Sequence, residues 1–197
     1  MSISNESSGE STGDRILDAA ASCVLAFGVD RVTLAEIARR AGVSRPTVYR
    51  RFPDTRSILA ALLTARIVGV LDDVAGTGAD RQALVARIVA VSQRLRRDEV
   101  IMSVLHTAPD LAMVYIAERL GTSQQILIDA IAGELKAAQE DGLGDDRVRA
   151  GEPRQLATMC VLITQSAIQS AQMVEPILDA DALATELGTA LNGYLRP

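Results

Sequence analysis

Apolar residues recur at helical spacing through almost the whole chain. Ile16, Ala20, Val24 and Phe27 share one face of a helix predicted over 14–27, with Asp14 placed to cap it and Gly28 to end it. The stretch TLAEIARRAGVSRPTVYRRF, residues 33–52, then reads as two short helices joined by a tight turn. Thr33 can cap the first, and Glu36, three residues on, completes the spacing of a capping box. Ile37, Ala38 and Ala41 form its buried stripe. Gly42 stands where the chain needs a positive φ, Ser44 caps the second helix, and Pro46 falls in the first turn, where its missing N–H costs nothing. Val48 and Phe52, four apart, point inward and leave Arg45, Thr47, Arg50 and Arg51 facing water.

The pattern continues to the end. Asp54 caps a long helix whose stripe runs Ile58, Leu59, Leu62, Leu63, Ile67, Val70 and Leu71, until Gly76-Thr77-Gly78 interrupts it. A phosphate loop is the other reading of that GTG, but no strand precedes it and no GxGxxG follows. A helix over 80–97 turns Leu84, Ile88, Val91 and Leu95 inward, and a shorter one follows over 98–107. Thr107-Ala108-Pro109-Asp110 breaks and restarts the helix, which then runs from Leu111 to about residue 140 with a joint at Gly121. Residues 141–152 read as a solvated loop. Its Asp145-Asp146 is an acidic surface pair rather than a catalytic one. The last helix begins near Asp179 with Leu183, Leu187, Leu191 and Tyr194 in its stripe.

Residues 155–174 carry no charge, a length that could span a bilayer. Eight of those twenty positions are polar, however, and lipid would leave their amides and hydroxyls unpaired. Burial on all sides explains the stretch better.

Composition narrows the fold class to all-α. Two Phe, three Tyr and no Trp in 197 residues leave little material for sheets. Cys23 and Cys160 sit among apolar neighbours without metal-ligand spacing, and with one histidine no metal site or cofactor is expected. Buried free thiols and a polar, Ser/Gly-rich start without a signal-peptide pattern fit a cytoplasmic protein, with residues 1–13 expected as a disordered tail. The net charge of −5 sounds wrong for a nucleic-acid binder until the chain is divided. Residues 14–66 hold nine arginines against five acids, and the remainder holds eleven basic residues against twenty acids. A basic head on an acidic body is the asymmetry expected when one end alone meets phosphate.

A capped helix with an apolar back and an arginine- and hydroxyl-bearing front suits the DNA major groove, so residues 33–52 read as a helix-turn-helix. The segment from Ile16 to Leu62 also resembles the DNA-binding end of TetR-type transcriptional regulators. The likeness includes the Phe27-Gly28 exit, the Gly42-Val43-Ser44 turn and the Tyr49/Phe52 pair. It implies a three-helix head at 14–53, a helical ligand-binding and dimerisation body at 54–197, about nine helices in all, and a homodimer joined through helices at about 153–175 and 179–195. It also implies DNA contacts from Thr33, Ser44, Arg45, Pro46, Thr47, Tyr49, Arg50, Arg51 and Arg56. Arginine can fork onto guanine, whereas hydroxyls and the Tyr49 phenol take phosphate oxygens. Thr55 stands where the family usually has lysine, with Arg56 beside it as substitute. Arg51 replaces a common ring, and Ala35 occupies a place some members use for base contact.

In the body, Met102, His106, Tyr115, Gln125, Met159, Gln165 and Gln169, with Met113 and Met173, are the candidates for an apolar ligand pocket with a few polar groups. Each of them is equally readable as core or surface. The expectation is a homodimeric regulator of a palindromic double-stranded operator, a repressor released by a small-molecule effector, with no membrane association. Two alternatives stay open: a DNA-binding regulator with a filled, ligand-deaf body, and an all-α enzyme. The enzyme lacks any nucleophile–base pair or metal or phosphate motif in the sequence.

Overall fold

The computed structural model describes residues 11–76, 78–107, 120–141 and 146–197. Among them are nine α-helices and no strand: α1 Thr12–Phe27, α2 Leu34–Ala41, α3 Arg45–Arg51, α4 Thr55–Asp73, α5 Arg81–Arg97, α6 Glu99–Thr107, α7 Thr122–Asp141, α8 Pro153–Val174 and α9 Ala180–Leu195. A 3-10 turn, Val29–Arg31, links α1 to α2. The tail over 1–10, the break and restart over 108–119 with Met113 and Tyr115, and Asp145 lie outside the described residues.

Local chemistry sets the helix ends. Ser11 rather than Asp14 caps α1: its hydroxyl accepts from the Asp14 N–H, and the Asp14 carboxylate accepts from the Ser11 N–H, closing a capping box that starts the helix at Thr12. Asp54 and Ser57 make the same reciprocal pair at the start of α4. Asp80 caps α5, and Asp98 accepts from the Val100 and Ile101 N–H groups at 3.0 Å to open α6. Residues 120 and 121 are not helical, so α7 starts afresh at Thr122.

Packing divides into a head core and a body core with a seam between them. In the head, Ile16, Ala20, Cys23 and Val24 of α1 meet Ile37, Ala38 and Ala41 of α2, Val48 of α3, and Ile58, Leu59 and Leu62 of α4. Val100 and Val104 of α6 belong to the same cluster, so residues 14–53 do not close this core alone. Phe27 departs from the expected inward stripe: it is 43% exposed, under the Arg40 guanidinium at 4.7 Å. The body core joins Leu84 and Ile88 of α5, Ile128 and Leu135 of α7, Cys160 and Val161 of α8, and Leu187 and Leu191 of α9. Buried Arg81 ties this end together, donating to the Arg147 carbonyl at 3.2 Å and to Asn192 Oδ1 at 3.0 Å, with Asp146 at 3.8 Å. Asp146 also accepts from Gln82 at 2.7 Å, a structural engagement rather than half of an acid pair.

The uncharged helix α8 is not buried on all sides within one chain. Leu156, Ala157, Cys160, Val161, Ile168 and Ala171 face the core, while Met159 (41% exposed), Leu162 (44%) and Met173 (76%) face out. Without a charged face to mark solvent, the sequence pattern carried no sidedness. Among the described residues, the chain packs against one side of this helix.

Candidate nucleic-acid interface and internal cavity

The two helices of the motif are held at their joint by three devices. Gly42 takes φ 63°, ψ 33°, and its N–H reaches back to the carbonyls of Ala38 and Arg39. Ser44 accepts from the Thr47 N–H at 3.3 Å, and the Ser44 and Thr47 hydroxyls are 2.7 Å apart. From α1, Arg15 donates to the Ala41 carbonyl at 2.6 Å, a tie that the sequence reading missed. A cation at a helix C-terminus is the signal that could have flagged it.

This scaffold turns α3 so that Val48 is fully buried while Arg45, Pro46, Tyr49, Arg50 and Arg51 lie exposed on the other side. Tyr49 is 52% exposed, a large ring left in water. Thr47 is half-buried beside Ser44, with its hydroxyl engaged locally. Thr33 caps α2, accepting from the Glu36 N–H at 3.2 Å, and shares a shallow hollow with Ala35 and Arg45. Arg51 lies against the start of α1, where a Cβ on Gly13 would come within 3.0 Å of its Nη2. Arg56 is exposed in the first turn of α4. Among the described residues none of Arg45, Arg50, Arg51 or Arg56 is in an ion pair.

The expected reach of Glu36 back to the Thr33 N–H is not made. Its carboxylate accepts instead from Arg39 Nε at 2.8 Å and Arg40 Nε at 3.0 Å. With Arg39 Nη2 also donating at 2.6 Å, three bonds from two cations outweigh a single cap bond to a backbone N–H. Hydrogen bonds from Arg39 and then Arg40 hold its carboxyl well below the usual range, at about 2.

In the body, a cavity of about 160 Å³ opens between α4, α5, α6, α7 and α8. Leu63, Ile67, Ile88, Val91, Ile101, Leu127 and Ile168 give it an aliphatic wall. Of the sequence candidates, Gln165 and Gln169 line it. Met102 is half-buried away from it, His106 and Gln125 are exposed, and Met159 and Met173 point outward from α8. Among the described residues the lining holds branched aliphatic side chains and no methionine.

The polar lining was missed in the sequence except for the two glutamines. Gln124 donates to Gln165 Oε1 at 2.6 Å and accepts from the Gly121 N–H at 2.8 Å. Thr164 Oγ1 is buried without a hydrogen-bond partner among the described residues. Arg87 is paired with Glu134 and also donates to the carbonyls of Val74 at 2.7 Å and Leu71 at 3.1 Å. A charge inside the Leu84–Ile88–Val91 stripe of α5 was the available clue.

A family model of bacterial regulatory proteins of the tetR family matches residues 16–62. The chain is also 63% identical to an HTH-type transcriptional regulator of Mycobacterium tuberculosis over 195 residues, 99% of each chain. The chain belongs to the TetR family. As a TetR-family member it is a transcriptional regulator and not an enzyme, and α2 and α3 are its helix-turn-helix. The HTH-type transcriptional regulator SrpR of Pseudomonas putida is 46% identical over 57 residues, 29% of this chain and 27% of its own length.

Solved structures extend the likeness to the whole TetR fold. RolR in complex with resorcinol superposes with a TM-score of 0.69 at 20% identity, covering 93% of this chain and 87% of RolR. The repressor QsdR of R. erythropolis gives 0.68 at 18%, covering 94% and 96%. FadR of Bacillus subtilis in complex with stearoyl-CoA gives 0.63 at 19%, covering 92% and 98%. Among the described residues no helix is long and apolar enough to cross a membrane.

Proposed function

We propose that this TetR-family regulator is a homodimeric repressor that binds a palindromic operator and releases it when a small molecule occupies the body cavity. The observation that carries the reading is the two-sided α3: Val48 sealed in the core, and Arg45, Tyr49 and Arg50 exposed to water. In this reading Arg45 reads a base edge with Pro46 and Arg50 beside it. Thr33, Ser44, Thr47, Tyr49, Arg51 and Arg56 take phosphates, and the functional division falls between 53 and 54.

Dimerisation is supported by the bare face of α8. Met159, Leu162, Ser166 and Met173 recur at three-, four- and seven-residue steps, so they share one side of the helix. Ile177, 86% exposed just beyond, prolongs that surface, and an uncharged apolar strip of this kind marks an interface. Paired with α9 and the same two helices of a second copy, it would form a four-helix contact. Effector control is supported by the cavity and by the bound ligands of the fold neighbours RolR and FadR.

The deciding experiment is a set of gel shifts on matched and scrambled operators. Arg45→Ala should cost about 1–3 kcal/mol on the matched site alone, while Tyr49→Phe should weaken both sites alike. Equal loss on both sequences for Arg45→Ala removes its base-reading role.

A further inference from the structure

We infer that the body cavity is built for a small, uncharged, aliphatic ligand carrying one hydrogen-bond acceptor of the ester, lactone or ketone kind. The inference rests on the cavity being an effector site, as proposed above, and specifies its chemistry.

Three observations lead there. Among the described residues the wall contains no aromatic ring to stack on a planar aromatic ligand; its apolar surface there is Leu, Ile, Val and Ala. Among the described residues the only charges in the lining are Arg87 and Glu134, and they neutralise one another. Arg87 is committed further to the Val74 and Leu71 carbonyls. A carboxylate or phosphate entering here would have to displace Glu134 and leave that charge unpaired in a low-dielectric pocket.

The remaining polar groups of the described lining, Ser123, Gln124, Thr164, Gln165 and Gln169, are neutral, and two of them have a donor to offer. Thr164 has a buried hydroxyl that lacks a partner among the described residues. Gln165 already accepts from Gln124 through Oε1, which leaves its Nε2 hydrogens to give. Both residues lie on α8 and both line the cavity, so an acceptor group bound there has a donor available from each. Volume sets the size. An apolar cavity of about 150 Å³ takes up one benzene, so 160 Å³ admits a molecule of roughly six to ten non-hydrogen atoms.

The test uses the full-length protein, with affinity measured by calorimetry and by the rise of Tm with ligand concentration. The probes are methyl hexanoate, hexanoate at pH 7.5 and hexane. Methyl hexanoate should bind at least about tenfold more tightly than hexanoate. Thr164→Val and Gln165→Met should each weaken the ester by about fivefold, the worth of one net hydrogen bond. Both variants should keep hexane affinity within about twofold, which also shows that they fold.

Equal or tighter binding of hexanoate, an ester affinity unchanged in both variants, or no ester binding overturns the inference. Operator release is read separately, by fluorescence anisotropy. Ester binding that leaves the operator bound supports the cavity chemistry and sinks the inducer reading. Release by a charged or aromatic compound, with no ester binding, sinks the cavity chemistry alone.

Discussion

Gly42 illustrates how much one position settles. Its φ of 63° is a conformation that costs any other L-residue about 1–2 kcal/mol. A Cβ there would also come within 3.1 Å of Arg15 Nη2, which holds the end of α2. Gly42→Ala should therefore lower unfolding stability by at least about 1 kcal/mol in urea titrations; an unchanged midpoint would show that the turn tolerates a different path. Glu36 gives a pH-dependent counterpart. Its carboxyl is lowered from 4.5 to about 2, so the native state favours the ionised form. The corresponding stability is present above about pH 4.5 and is lost as the pH falls through about 2. The carboxyl carbon of Glu36 should titrate near 2 by NMR, and a midpoint near 4.5 would mean that the arginine pairs do not persist in solution. Caps and turns such as Ser44 and Gly42 were legible in the sequence because their partners lie within four residues. The Glu36 partner was not, since Thr33, Arg39 and Arg40 all stand within reach and only their relative strengths choose.

For whole elements, legibility follows the contrast between faces. α3 was readable in its exposed arginines because they alternate with Val48 and Phe52 at helical spacing, whereas Thr47, expected in water, is half-buried with its hydroxyl on Ser44. In α8 amides and hydroxyls are scattered among apolar residues, so burial was expected all round. Among the described residues the Met159–Leu162–Met173 side is open, the side left for the second copy that the sequence reading expected to share in that burial. If that side is the dimer contact, Leu162→Glu places a carboxylate against its own symmetry mate. It should yield half-mass particles in light scattering and a Tm that no longer rises with protein concentration. A variant that stays dimeric moves the contact elsewhere. The cavity was the least legible feature, because it is assembled from five helices. Which members of each stripe stop short of contact depends on crossing geometry that no single periodicity contains.

Across the molecule, the charge division between a basic head and an acidic body was visible in the sequence and persists in the arginines that α3 turns outward. The two thiols report on integrity at this scale. Cys160 is buried in the body core and pushed up to about 11 by that burial, and burial raises Cys23 in the head as well. Neither should react with a disulfide reagent at pH 8 in the native protein, and both should react together once it opens. Fast labelling of one alone would reveal partial unfolding of its half.

Val104 of α6 seals the head core and also faces the cavity, and Leu63 of α4 borders both. If the cavity is the effector site, the partition between the reading part and the sensing part is thus a single side chain thick. A guest molecule leaning on that partition presses on the reading domain at first hand, with no chain of intermediaries to carry the message. For the same reason, the two parts cannot be swapped between regulators like cartridges. A graft cut at residue 53 would leave an oily scar on each piece, and successful chimeras must carry α4 and α6 across with the reading helices.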